Sequence, residues 1–497
     1  MTSAPPASGR VGRNALITSV SQVVTMAAGG VLAVLVAVLV GSDARTDGFF
    51  AAYGLYAMAI VFAQSARTTV VPRLLEGDTR FGPFDRFLGG GLVVVLLVAV
   101  LVGPLGGVLA SLVTGDLPDE AHDTARTALL LLLPAIAAQV FAALGAAMLG
   151  ALGDFVLPGL AFTGGGVVSI VAFVALEPAF GIDALALALL TGSVVSAGAV
   201  LVGLARQGWR PSAAVVAGGP RSMGSAAAVL TVASLAILIA HVGYLVTLGV
   251  GARLGEGVIT AFSYGYMGFN LVFALIAGSI PMVIVGPLAE HWDRDPASLV
   301  EHNERVFRAG VLLVLPVVAA VWLVGHEVGD VVLAKFSAGE VDLVIDLFLL
   351  LSPLVVFGLV QAVPYAAVLV RARYRGVAFA ALGVVTVQVG LVLLAAEMDS
   401  ARLLGLAFPV ANLVNLVAAL LLVSRRYPRL VAPRLAAAGL RLGLLAALVF
   451  GVPALLLPGW AALLVGLALY VVAVRALLPV ERDLGARVVR TVLPVAS

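Results

Sequence analysis

Arg67 is a cation set inside an apolar run, five residues before Pro72, with Gln64, Ser65, Thr68 and Thr69 around it. A guanidinium among amides and hydroxyls presents a fork of donors that fits the oxygens of a phosphate or diphosphate. On a helix rising about 1.5 Å per residue it would lie roughly 7–8 Å inward of that proline. Three roles compete for it: a phosphate binder facing a bundle interior, an anchor snorkelling to the headgroups, and one half of an internal ion pair with Asp154. Thr46 and Asp47 open the same apolar segment. There a carboxylate serves as an N-cap for free N–H groups and the helix dipole, or as a gating partner of Arg45 or Arg253. His241, Tyr264, Tyr266 and Asn270 supply ring and amide donors at helical spacings, 241 with 244 and 266 with 270, that suit sugar hydroxyls; Gln22 adds another amide. Such side chains also hold membrane helices together, at about 0.6–2 kcal/mol each. Gln139, Gln361, Gln388, Asn412 and Asn415 carry the same two readings.

Other chemistries are excluded. The chain has no cysteine, which removes disulfides, thiolate metal sites and cysteine nucleophiles. Its five histidines are single, without the i, i+4 spacing of a helical zinc site. No phosphate-binding G-x-x-x-x-G-K-[ST] loop is present, and Lys335 is the only lysine. No basic run is interleaved with aromatics as nucleic-acid binding requires. The expectation is therefore a protein that is not an enzyme, needs no cofactor or metal, and does not bind nucleic acid.

The elements that position these residues are membrane spans. The composition is 62% hydrophobic and 11% charged, and apolar runs long enough to cross a hydrocarbon core of about 30 Å recur throughout. They predict fourteen spans at 15–40, 48–71, 88–114, 127–150, 154–176, 182–205, 226–250, 257–287, 309–334, 343–370, 376–396, 402–424, 437–456 and 459–478. With the N-terminus in the cytoplasm, 23 of the 29 basic residues fall on the inner side. Arg45, Arg126, Arg253, Lys335 and Arg402 lie outside, and Arg67 lies within a span. A missed or invented span would swap the sides of every later loop, so the positive-inside bias predicts an even span number and cytoplasmic termini.

Spans 1–2 and 7–8 resemble each other. Each has a long helix, a short outer loop with an acid, and a helix bearing Tyr53–Gly54 or Tyr264–Gly265 that ends in an inner Pro-Leu-Glu group at Pro72–Glu76 or Pro287–Glu290. Six spans separate the copies, so they share orientation. The expected fold is an all-α polytopic membrane protein with about fourteen transmembrane helices. Two six-helix bundles, 1–222 and 223–430, are followed by a C-terminal helix pair and tail, 431–497. Residues 206–224 read as a tether between the bundles. The arginine-rich segment 425–441 tethers the last pair or lies on the anionic inner leaflet.

On these residues the chain resembles the MOP exporter superfamily, and within it the MurJ/MviN lipid II flippase family. Asp47–Gly48–Phe49–Phe50 is similar to that family's Asp-x-Phe-Phe opening of span 2, and Val71–Pro72–Arg73–Leu74–Leu75–Glu76 to its Val-Pro-x-Leu-x-Glu close. Leu149–Phe155 with Pro158 is similar to its span 4–5 turn, and Leu333–Phe336 leading to Pro353 to its approach to span 10. The resemblance implies movement of an undecaprenyl-pyrophosphate-linked sugar between leaflets of the bacterial cytoplasmic membrane, by alternating access around a central cavity. Its implied partners are the lipid-linked saccharide, membrane lipids and cell-wall polymerases. It also implies arginines facing the cavity in spans 1, 2 and 8. Here span 1 has none beyond Arg13, span 8 reads Tyr264–Gly265–Tyr266–Met267, and span 2 keeps Arg67 about two turns later. The residues selected for substrate are Arg67, Gln64, Gln22, Tyr264, Tyr266, Asn270 and His241, and those for gating Asp47 and Arg253. Two other classes stay open: a multidrug–cation antiporter of the same superfamily, which needs a buried coupling carboxylate, and a membrane scaffold that does not transport.

Overall fold

The computed structural model describes residues 27–74, 81–154, 156–210, 219–273, 296–370 and 374–477, together with Val24 and Val215. Within the described residues every regular element is helical, as hydrocarbon demands: a spanning backbone without water must satisfy its N–H and C=O groups internally. The first half holds α1 (Ala27–Leu39), α2 (Ala44–Leu74), α3 (Gly82–Thr114), α4 (Asp119–Ala151), α5 (Val156–Phe180), α6 (Asp183–Arg206), α7 (Gly219–Gly251) and α8 (Val258–Phe273). The second holds α9 (Pro296–Val332), α10 (Ala338–Leu351), α11 (Pro353–Val370), α12 (Tyr374–Glu397), α13 (Ala401–Val423), α14 (Tyr427–Leu456) and α15 (Gly459–Leu477). Eleven described helices are long and apolar enough to cross a membrane, and three shorter apolar stretches, Ala27–Leu39, Leu238–Leu254 and Val258–Phe273, fall where spans 1, 7 and 8 were expected. The all-α, fourteen-span reading holds. Span 10 is divided: α10 starts on a capping box in which Ser337 and Glu340 bond each other's backbone N–H, and α11 starts at Pro353, whose missing N–H suits a first helical turn. The end of expected span 8 and its Pro281 lie outside the described residues.

By contacts the chain forms two compact units, Met1–Ser263 with Val389–Ala401, and Tyr264–Gln388 with Arg402–Ser497. In the first unit α2 and α4 are central, with 61% and 56% of their most apolar windows buried, against 11% for α3. Helix α3 accordingly turns Leu96, Leu97, Val100, Leu101 and Leu112 outward, as a lipid-facing helix does. Small residues set the close approaches. A Cβ on Gly192 would stand 2.4 Å from the Gly165 carbonyl oxygen, so α5 and α6 cross with backbones in contact. Gly90 meets Ala226 and Ala227 of α7 in the same way. Gly165, Gly192 and Gly90 thus serve packing.

The chain leaving α6 is pinned. Trp209 is buried edge-on to Phe84, ring centroids 5.4 Å apart, and its indole N–H donates to Asp85 Oδ1 at 2.9 Å. The segment read as a tether therefore begins fixed to α3, and α7 beyond it packs on α2 and α3 within the first unit. In the second unit the C-terminal pair packs on α9. Phe450, Leu463 and Tyr470 form a core with Val324, and the Tyr470 hydroxyl donates to the Leu312 carbonyl at 3.1 Å.

Candidate functional site

The first turn of α2 is capped locally, though not by Asp47. Asp43, one residue before the helix, accepts from the Thr46 N–H and hydroxyl, each at 2.7 Å. With that end satisfied, Asp47 is free to turn elsewhere, and it does so fully buried. Its Oδ2 accepts the Gly257 N–H at 2.6 Å, and its Oδ1 accepts the Thr260 N–H at 2.8 Å and the Thr260 hydroxyl. These donors belong to the start of α8, some 210 residues away. The turn before α8 reads Gly255–Glu256–Gly257, with φ of 125° and 83° at its glycines, backbone that side-chain-bearing residues avoid. Glycine at the position before the helix brings no capping oxygen, so the free N–H groups of α8 are satisfied from another helix. The expectation that Asp47 caps its own helix is corrected: it caps α8.

Among the described residues Asp47 pairs with neither Arg45 nor Arg253. Arg45 binds Asp183 at 3.2 Å, joining α2 to α6. Arg253 is exposed on a single 3-10 turn, Ala252–Leu254, four residues before Gly257. Asp154, a candidate partner of Arg67, accepts the Leu157 N–H at 3.1 Å and caps α5.

Arg67 and Gln64 ride on α2, whose backbone is described there; their side chains, and the whole of Gln22, lie outside the described residues. Farther up α2 the face turned inward is aromatic. Phe49, Phe50, Tyr53 and Tyr56 follow one another at ring separations of 5.6–6.4 Å. Tyr56 and Gln139 both meet Ser193 Oγ, at 3.5 and 3.0 Å, which makes this polar group a tie between α2, α4 and α6. Tyr56 was not among the residues selected from sequence; its i, i+3 spacing from Tyr53 is the signal that marked it.

On α7, His241 is half-buried with its ring 5.5 Å from that of Tyr244, and Tyr244 stands 6.0 Å from Phe262 of α8. The His241 Nε2 is buried with no hydrogen-bond partner among the described residues. An imidazole nitrogen held dry and unbonded is costly, and a polar ligand would satisfy it. In the second unit the expected 266–270 pairing is present, Tyr266 bonding Asn270 one turn on, with the Tyr266 ring 5.5 Å from Phe408. Tyr264 instead lies buried and edge-on to Phe336 at 5.5 Å, a packing role. Gln361 joins Asn412 and Asn415 at 2.8 and 2.9 Å, amides acting as interhelical glue between α11 and α13.

Solved structures with this backbone are transporters. The chain is similar to the lipid II flippase MurJ in an inward closed conformation, with TM-score 0.76, 14% identity, and 96% of this chain and 98% of that one covered. It is similar to a MOP superfamily transporter from Pyrococcus furiosus at TM-score 0.62 and 16% identity, over 88% of this chain and 99% of that one. An inward-facing multidrug resistance MATE family transporter gives TM-score 0.63 and 17% identity, over 85% and 98%. These likenesses define the class, a polytopic protein with the MOP superfamily fold. No curated protein matches the chain by sequence. The family model for lipid II flippase MurJ matches residues 36–473, and the chain belongs to that family.

Proposed function

We propose that this chain carries a polyprenyl-pyrophosphate-linked saccharide of the lipid II class across the bacterial cytoplasmic membrane by alternating access. The observation that carries this reading is the family match over residues 36–473, which takes in all but the first part of the span pattern and the tail. The MurJ backbone also accounts for 96% of the chain, whereas the MATE transporter accounts for 85%. That difference favours a flippase over an antiporter, as does the absence from the sequence of an acid deep within a span. The moving bodies are the bundles 1–222 and 223–430, with 431–497 at their side and both termini in the cytoplasm; the positive-inside count supports that orientation.

The cargo's diphosphate cannot enter hydrocarbon unpaired. Arg67 is the cation that meets it, helped by Gln64 and Gln22, while His241 and the Tyr266–Asn270 pair offer donors to the saccharide and Tyr264 supports α8. Asp47 is the latch of the outer gate. It holds the first turn of α8, and α8 passes from one compact unit to the other between Ser263 and Tyr264. Arg253, exposed four residues before Gly257, is the cation on the α8 side of the latch. The exported precursor is then available to cell-wall polymerases.

The test is transfer of a fluorescent polyprenyl-pyrophosphate saccharide across proteoliposomes, wild type against Arg67→Ala. A charge-assisted contact contributes about 1.5–3 kcal/mol, so the variant should be about 10- to 100-fold slower. Equal rates would remove Arg67 from the mechanism. Transfer by neither protein would favour a scaffold, and ion-driven efflux of cationic dyes an antiporter.

A further inference from the structure

We infer that the first half of α14 is a docking surface for an anionic diacyl phospholipid of the surrounding bilayer. Arg425, Arg426, Arg429, Arg434 and Arg441 are all exposed. Among the described residues one acid reaches them, Glu304, which is 3.7 Å from Arg434 and already bonded to Arg308 at 2.7 Å. The opposite face of the helix is fixed against α9. Tyr427, Val431, Leu435, Ala438 and Leu442 are buried along it, and Asn303 of α9 donates to the Tyr427 hydroxyl at 3.1 Å. That anchor at the first turn sets the rotation of α14 and holds the arginines outward as a fixed group.

The outward side then continues in leucine. Leu430, Leu440, Leu444, Leu448 and Leu455 are 55%, 65%, 56%, 63% and 85% exposed. From Leu444 to Leu455 the helix rises roughly 16 Å, about the depth of one leaflet of a hydrocarbon core about 30 Å thick. An anion at the arginines with acyl chains along the leucines is one molecule, a phospholipid with net negative charge. Inorganic phosphate would use only the arginines, and an acidic protein would leave the leucine stripe unused. The surface is on a different helix from Arg67 and the latch, and lipid retention is measured without any transport.

The experiment is native mass spectrometry of the full-length protein titrated with phosphatidylglycerol or phosphatidylcholine, comparing wild type with an R426Q/R429Q/R434Q variant. Phosphatidylglycerol should be retained in preference, and the triple variant should bind it on the order of 100-fold more weakly, about fivefold per arginine. Lysine at the same three positions should retain most of the binding, Arg126→Gln should change nothing, and millimolar inorganic phosphate should not displace the lipid. Equal retention of both lipids, wild-type retention by the triple variant, or displacement by phosphate alone would overturn the proposal. Should the triple variant not fold, Arg429→Gln, on the exposed face, carries the same comparison with a fivefold loss expected and no loss refuting it.

Discussion

Removing the Asp47 carboxylate tests the latch. Asp47 accepts three donors, two of them the backbone N–H groups of Gly257 and Thr260 at 2.6 and 2.8 Å, and breaking them is what opening of the proposed gate requires. Asn at this position keeps one oxygen for Thr260 and turns an NH₂ group toward the Gly257 N–H. One charge-assisted bond is lost and a buried N–H is orphaned, a change of about 2–3 kcal/mol against the closed state. At 1.4 kcal/mol per decade that raises the open population on the order of 30- to 100-fold. The chain has no cysteine, so a single Ser263→Cys, at a position fully buried beside the latch, gives a clean reporter. Its labelling by a membrane-impermeant maleimide from the outer side should accelerate by that factor in Asp47→Asn. Asp47→Glu, which keeps the charge but reaches a methylene farther, should fall between. An unchanged labelling rate in a folded Asp47→Asn protein would refute the latch, and loss of transport without faster labelling would move Asp47 from gating to folding.

Other expectations follow from the packing. Gly192→Val places a branched side chain where Gly165 leaves 2.4 Å; over-packing costs typically 1–3 kcal/mol and should show as a lower thermal transition in detergent, whereas Gly198→Ala, which meets nothing within 4 Å, should leave it unchanged. Asp85→Asn keeps an acceptor for the Trp209 indole and should be mild, while Trp209→Ala, emptying a site walled by Phe84 and Phe141, should cost about 3–5 kcal/mol and lower the thermal transition in detergent. Gln361→Ala removes the shared partner of Asn412 and Asn415; a thermal transition that does not fall would contradict their role as glue.

The spans were legible because hydropathy and arginine placement are patterns along the chain that the bilayer imposes one segment at a time. The α8 cap was not legible in that way. Thr46–Asp47 has the form of a local cap, and only the true helix start, three residues earlier with Asp43 on it, releases Asp47 for another helix. The signal was at the far end of the bond, in a Gly255–Glu256–Gly257 turn that brings no capping side chain at its last position. Tyr264 and Tyr266 illustrate the same limit. Two residues apart, they lie on different faces of α8, and only contacts to Phe336 and Phe408 from distant helices separate packing from an available donor. Gln361 and its partners carry two readings in the sequence, because a buried amide looks alike whether its partner is a ligand or a helix; here the partners are Asn412 and Asn415. The division expected at 222 and 223 comes from counting spans, whereas by contacts α7 packs on α2 and α3 within the first unit.

The central claim is that this chain moves a lipid-linked saccharide outward, and the most direct measurement follows the cargo in cells depleted of their own flippase. Labelled lipid II in the outer leaflet is open to an enzyme added outside that cleaves the exposed diphosphate, and lipid II in the inner leaflet is not. Expression of this chain should restore the cleavable fraction, and Arg67→Ala should restore about 10- to 100-fold less per unit time at equal protein level. Lipid II that stays protected while the wild-type chain is folded in the membrane would contradict the account.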